Sequence, residues 1–183
     1  MKQLVDPISK QLWERKEKLA VAESVTGGDI QSALSVAENA MQFFEGGIVT
    51  YTLEQKVRHL HVNREEALRC NCVSGDIAGQ MAKGVAALFH TEWGIAITGY
   101  ASPVPEKNIF HLFAWLGIAY KENTILVEQI IAGDANEDNV RSYYNRQVLE
   151  KYKTALEAGQ MANTVVLNEE EKVTERSGIE NCM

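Results

Sequence analysis

The chain has 183 residues, 45% hydrophobic and 23% charged, the composition of an ordinary globular protein and the length of one domain with a short appendage. Its net charge of −7 comes with no Lys/Arg cluster, which excludes the footprint of a phosphate backbone and with it extended nucleic acid as a partner. No apolar run approaches the roughly 20 residues that a bilayer crossing needs, so no membrane partner is expected.

In chain order, Pro7 to Lys18 reads as an amphipathic helix with Ile8, Leu12 and Trp13 on its buried side. Leu19-Ala20-Val21-Ala22 is a short strand ending at Glu23-Ser24, and Thr26-Gly27-Gly28 turns it into a helix carrying Ile30, Leu34 and Ala37. Gly46 to Tyr51 is the next strand, and Leu53 to Leu60 is helical. Ser74 caps a helix running to about His90, with Ile77, Met81, Val85 and Leu88 on one face. Trp93 to Gly99 is a third strand, and Pro103 and Pro105 make the following segment a loop. Ile109 to Tyr120 and Thr124 to Ile131 pair as a hairpin across Lys121-Glu122-Asn123, with Phe110, Phe113 and Trp115 assigned to the core. Asp134 to Leu156 closes the domain as a helix burying Val140, Tyr144, Val148 and Tyr152. Strands alternating with helices, then a hairpin, predict an α/β fold: a three-layer α/β/α sandwich on a mixed sheet. The domain is expected to span residues 1–157, with 158–183 a polar tail that is either solvated or an oligomer arm.

The N-terminal stretch Met1 to Pro7 lacks the apolar h-region of a secretory signal. Cys70, Cys72 and Cys182 fit neither a disulfide framework nor a zinc site. A cytoplasmic protein with ordinary thiols is expected. His59 and His61 lack a third ligand at useful spacing, so no metal site is assigned.

Chemistry concentrates in two segments. Glu23-Ser24-Val25-Thr26-Gly27-Gly28 sits at a strand-to-helix turn, which exposes Ser24 at a strand's carboxyl end and aims backbone N–H groups at the same space. Capping by Ser24 and Thr26, with the glycines serving only the turn, is the alternative. Tyr51 stands at the next strand end, and Lys56 follows five residues on, where a short helical turn brings it back over the strand edge. A lysine there acts as a base only if burial lowers its pKa. Tyr51 would then relay the proton or hold Lys56 in place.

Together these segments resemble the CinA C-terminal domain family, whose Glu-Ser-Cys-Thr-Gly-Gly signature matches residues 23–28 and whose Val-Thr-Tyr…Lys segment matches Val49-Thr50-Tyr51 and Lys56. Val73-Ser74 and Ile97-Thr98-Gly99 match in order, so the likeness covers about residues 8 to 156. The resemblance implies an α/β/α homodimer that hydrolyses nicotinamide mononucleotide to nicotinate mononucleotide and ammonia, with no metal or organic cofactor. It implies Ser24 as nucleophile, Lys56 as general base, Tyr51 as its partner and Arg141 facing the substrate's phosphate, with Arg146 as the fallback. The backbone around Thr26, Gly27 and Gly28 is the candidate oxyanion cradle, and Gly99 and Tyr100 are expected to touch the pyridine nucleotide.

Two departures bear on this. Val25 replaces the family's cysteine, and the glycine-rich loop is shorter here, running Thr98 to Asn108 without its later glycines. Tyr100 then either fills the pocket or stacks on a ring. The alternative function is a catalytically silent or re-specialised nucleotide-binding homodimer of the same fold.

Overall fold

Alternation along the strands decides the layering. Leu19 and Val21 of β1 (Leu19–Glu23) point to one face, where they pack with Val5, Ile8, Ile30, Leu34, Tyr144 and Val148. Ala20 and Ala22 point to the other, against Leu60, Ile77, Met81 and Val85. A strand buried on both faces needs covering on both, and helices supply it.

The computed structural model describes residues 1–133 and 139–158. Five strands, β1, β2 (Phe44–Val49), β3 (Trp93–Gly99), β4 (Phe113–Tyr120) and β5 (Asn123–Ile131), form one sheet in the order β2-β1-β3-β4-β5. β1 runs parallel to β2 and β3, while β3–β4 and β4–β5 are antiparallel. One face carries α1 (Lys2–Arg15), α2 (Asp29–Ser35) and α7 (residues 140–158), and the other carries α4 (Leu53–Leu60), α5 (Arg64–Arg69) and α6 (Gly75–Phe89). A single turn, α3 (Ala40–Phe43), leads into β2. The predicted three-layer mixed sheet is the observed one.

Several boundaries move for physical reasons. α1 starts at Lys2, five residues before the expected start, because Val5 is fully buried and Pro7 forfeits only the bond to the Gln3 carbonyl. Trp13, Leu88 and Phe110, all expected inside, are 54%, 43% and 62% exposed. Phe110 lies before β4, which starts only at Phe113. α3 and α5 were not foreseen, since four and six residues are too short for a period to register. The hairpin turn is Lys121-Glu122, both with positive φ, the backbone that two-residue hairpin turns require. Part of the expected last helix, 134–138, and the tail from 159 lie outside the described residues. Among the described residues no helix is long and apolar enough to cross a membrane.

α6 lies unusually close to the sheet because β3 and β4 present glycine to it. A Cβ on Gly94 would stand 2.0 Å from the Ala82 carbonyl oxygen, and one on Gly117 would stand 2.3 Å from that of Ala78. Ile77, Met81 and Val85 are fully buried in this contact, each contributing about 1.5–3 kcal/mol of burial. Gly94→Ala should therefore force α6 off the sheet and cost about 1–3 kcal/mol, read as a lowered urea midpoint at unchanged slope.

Candidate active site

β1 is the strand at which the connections change side: the chain leaves it over one face to β2, then returns over the other to β3. The crevice beyond the carboxyl ends of such strands is where α/β sheets place their ligand sites. The turn after β1 is built around Glu23, whose carboxylate is fully buried. Its Oε2 accepts from the Thr26 hydroxyl at 2.6 Å, the Gly28 amide at 2.9 Å and the Ile30 amide at 3.2 Å, while Oε1 accepts from the Gln31 amide at 2.8 Å. Otherwise unpaired N–H groups at the start of α2 are thus satisfied by a negative group, which the helix dipole also favours. Gly27 and Gly28 have φ of 65° and 117°, a left-handed backbone open to glycine at little cost.

This turn lifts Ser24 to the crevice floor, with its amide bonded to the Ile97 carbonyl of β3 at 3.1 Å. Lys56 comes from the first turn of α4, which Thr52 caps by accepting from the Gln55 amide. Its side chain folds back under β2 and is 1% exposed. Lys56 Nζ donates to Ser24 Oγ at 2.9 Å and to the Thr50 carbonyl at 2.6 Å. The Thr50 amide in turn donates to the Glu23 carbonyl at 2.8 Å, so one backbone bridge holds both halves of the pair. Burial holds Lys56 below the usual lysine range, with Cys72 opposing the shift. Burial pushes the Cys72 thiol up, and Lys56 works against that.

Ser24 and Lys56 open into a cavity of about 340 Å³ that is also lined by Tyr51, Asn71, Cys72, Thr98, Gly99, Tyr100 and Arg141. A larger hollow of about 760 Å³ lies at the other end of β3, beside Gly84, His90 and Lys121, and no nucleophile–base pair lines it. The structure therefore brings Ser24, Lys56, Tyr51, Gly99, Tyr100 and Arg141 together. The Arg141 guanidinium passes over the turn, 3.4 Å from where a Gly27 Cβ would stand. Arg146 lines a different depression near Met1 and Leu4.

Two expectations change. Tyr51 is 68% exposed at the cavity mouth, and the Thr50 carbonyl, not its hydroxyl, holds Lys56. Thr26, Gly27 and Gly28 do not line the cavity. The Thr26 hydroxyl and Gly28 amide are committed to Glu23, and the Gly27 amide donates to the Ser24 carbonyl at 3.3 Å. Sequence reasoning also passed over Glu23 as the organiser of the turn and over Asn71 and Cys72 as wall residues. Glu23 carried a readable signal, a carboxylate just ahead of a glycine turn into a helix. Asn71 and Cys72 carried none, because two successive positive-φ residues, at 52° and 61°, aim them at the cavity.

Glu23→Gln keeps the volume but replaces an acceptor oxygen with a donor. It should lose about 2–3 kcal/mol of stability, seen as a lower denaturation midpoint. For Lys56 the sign follows from burial: the unfolded chain binds this proton more tightly than the folded one. The penalty of a buried charge is full below the folded pKa and fades as pH rises toward the ordinary value of 10.5. The parent should therefore gain stability relative to Lys56→Met between neutral pH and pH about 10, and a constant difference across that range would contradict the assignment.

Comparison with known proteins agrees with this architecture. A family model described as the CinA C-terminal domain matches residues 1–156. A CinA-like protein of Thermosynechococcus vestitus is 41% identical over 100 residues, which is 55% of this chain and 24% of that protein. A CinA-like protein of Acaryochloris marina is 31% identical over 150 residues, 81% of this chain and 36% of that protein. The chain thus spans only about a quarter to a third of the length of these relatives. The crystal structure of competence damage-inducible protein A from Klebsiella pneumoniae superposes with a TM-score of 0.80 at 26% identity, covering 85% of this chain and 96% of that one. The family match over residues 1–156 and the superposed fold agree, and the chain belongs to the CinA C-terminal domain family.

Proposed function

We propose that this domain is a serine amidase acting on nicotinamide mononucleotide, releasing nicotinate mononucleotide and ammonia. The observation that carries the reading is the buried Lys56 ammonium site 2.9 Å from Ser24 Oγ, inside a cavity that also holds Arg141. A desolvated lysine gives up its proton more readily than a surface one, and its neutral amine is then a base in contact with the hydroxyl.

Ser24 Oγ attacks the carboxamide carbon as its proton passes to Lys56 Nζ. The tetrahedral oxyanion sits toward the amide of Val25, which lines the cavity and has no protein acceptor among the described residues. Collapse breaks the C–N bond, and Lys56 returns the proton to the departing nitrogen, giving ammonia and an ester on Ser24. Water then attacks the ester carbonyl, giving a proton to Lys56. The acid leaves, and Ser24 takes the proton back. Arg141 offers a guanidinium fork to the nucleotide's phosphate. Neither half-reaction calls on a metal or an organic cofactor.

A second reading, ligand binding without turnover, is favoured by Tyr100 standing in the cavity wall of a shortened loop. Ammonia release separates the two. The parent should hydrolyse nicotinamide mononucleotide, and Ser24→Ala should lower kcat on the order of 10⁴-fold or more. Serine-independent release would sink the mechanism. Because free Lys56 must be neutral to act as base, kcat/KM should rise with pH and level off above a pKa below 10.5. Binding by calorimetry with no turnover would favour the second reading.

A further inference from the structure

Tyr100, the first residue after β3, is held as a fixed piece of the cavity wall. Its amide donates to the Phe113 carbonyl at 2.9 Å, and its carbonyl accepts from the Tyr144 hydroxyl at 3.1 Å. Its ring meets Phe113 edge-on, with centroids 5.4 Å apart at 69°. A backbone held on both sides and a ring packed on Phe113 present the hydroxyl in one place.

The polarity of that hydroxyl follows from its neighbours. An ammonium only donates, so Asn71 must turn its Oδ1 to Lys107, with which it is hydrogen-bonded. Asn71 Nδ2 is thereby directed at Tyr100 and donates to its Oη at 3.1 Å. Tyr100 Oη is the acceptor in this contact, so its own hydrogen is left for another partner. No acceptor among the described residues takes it. Lys107, which is bonded to Asn71, and Arg141 on the cavity wall are also donors without acceptor capacity. This side of the cavity therefore offers hydrogens and asks for oxygen.

We propose that Tyr100 is a specificity-determining residue whose hydroxyl donates to an oxygen of the substrate remote from the reacting carboxamide. The substrate class is an aromatic carboxamide joined to an oxygen-rich group, with the acceptor on a ribose hydroxyl or a phosphate. A bare ring amide leaves the donor unmatched and is discriminated against, because a site built to hydrogen-bond a ligand pays most when that partner is missing. The inference rests on the amidase reading above and adds to it the group that reads the far end of the ligand.

Tyr100→Phe tests this, since it keeps the ring on Phe113 and removes only the hydroxyl. For nicotinamide mononucleotide KM should rise about tenfold while kcat stays within about twofold. Nicotinamide riboside, which lacks the phosphate, locates the acceptor: an equal rise places it on the ribose, no rise places it on the phosphate, and either supports the proposal. Should the parent bind without turnover, Kd by calorimetry replaces KM with the same expectation. An unchanged KM for the mononucleotide, or a fall in kcat at unchanged KM, overturns the proposal and leaves the amidase reading standing. A parent that neither releases ammonia nor binds a pyridine nucleotide overturns both.

Discussion

The Glu23 carboxylate is the constraint on which the site depends. A carboxylate withdrawn from water costs several kcal/mol unless its lone pairs are taken up. Here four donors from residues 26–31 take them, and none is a cation. Glycine at positions 27 and 28 lets the turn close this way at little backbone cost, and the closed turn sets where Ser24 stands. Because the Glu23 carbonyl also receives the Thr50 amide, the same residue ties the end of β1 to the end of β2. A feature that looks like a cap on a short helix thus fixes both partners of the reactive pair.

Lys56 is buried on opposite terms. Glu23 is saturated by donors, whereas among the described residues the ammonium of Lys56 meets only a hydroxyl and a carbonyl, with a thiol nearby. Neutral oxygens orient the nitrogen without holding its proton as a carboxylate would, so desolvation wins and the pKa falls. Had Glu23 been turned toward Lys56, the pair would be a salt bridge and the amine a poor base. The four-donor cap keeps the two charges in separate networks.

The far wall of the cavity depends on how closely α6 lies on the sheet. Small residues on one face of β3 and β4 admit the helix, and Ser74 caps its start by accepting from the Ile77 amide at 3.2 Å. The connection leading to that cap must then turn sharply, which it does through Asn71 and Cys72 in left-handed backbone. Thr98 secures it by donating from its hydroxyl to the Cys72 carbonyl at 2.8 Å. Asn71 is thereby brought within reach of Tyr100 and Lys107, so helix packing on one face of the sheet shapes the mouth of the site.

The amino-acid order alone determined whatever depends on local periodicity and backbone permission. The short apolar strand β1, the 3.6-residue stripe of Ile77, Met81 and Val85, the Ser74 cap and the Gly27-Gly28 turn were legible because each is decided within a few residues. Ser24 and Lys56 were legible as a pair through the spacing of two motifs. Exposure of Trp13, Leu88 and Phe110 was not, since which apolar residues a face covers depends on the neighbouring element. Tertiary structure alone decided that Thr50 and not Tyr51 holds the lysine, that Gly28 serves Glu23, and that Asn71 orients Tyr100. Those are contacts between segments far apart in the chain or choices among competing donors, and only the packed sheet and its helices bring the competitors within 3 Å or so of one another.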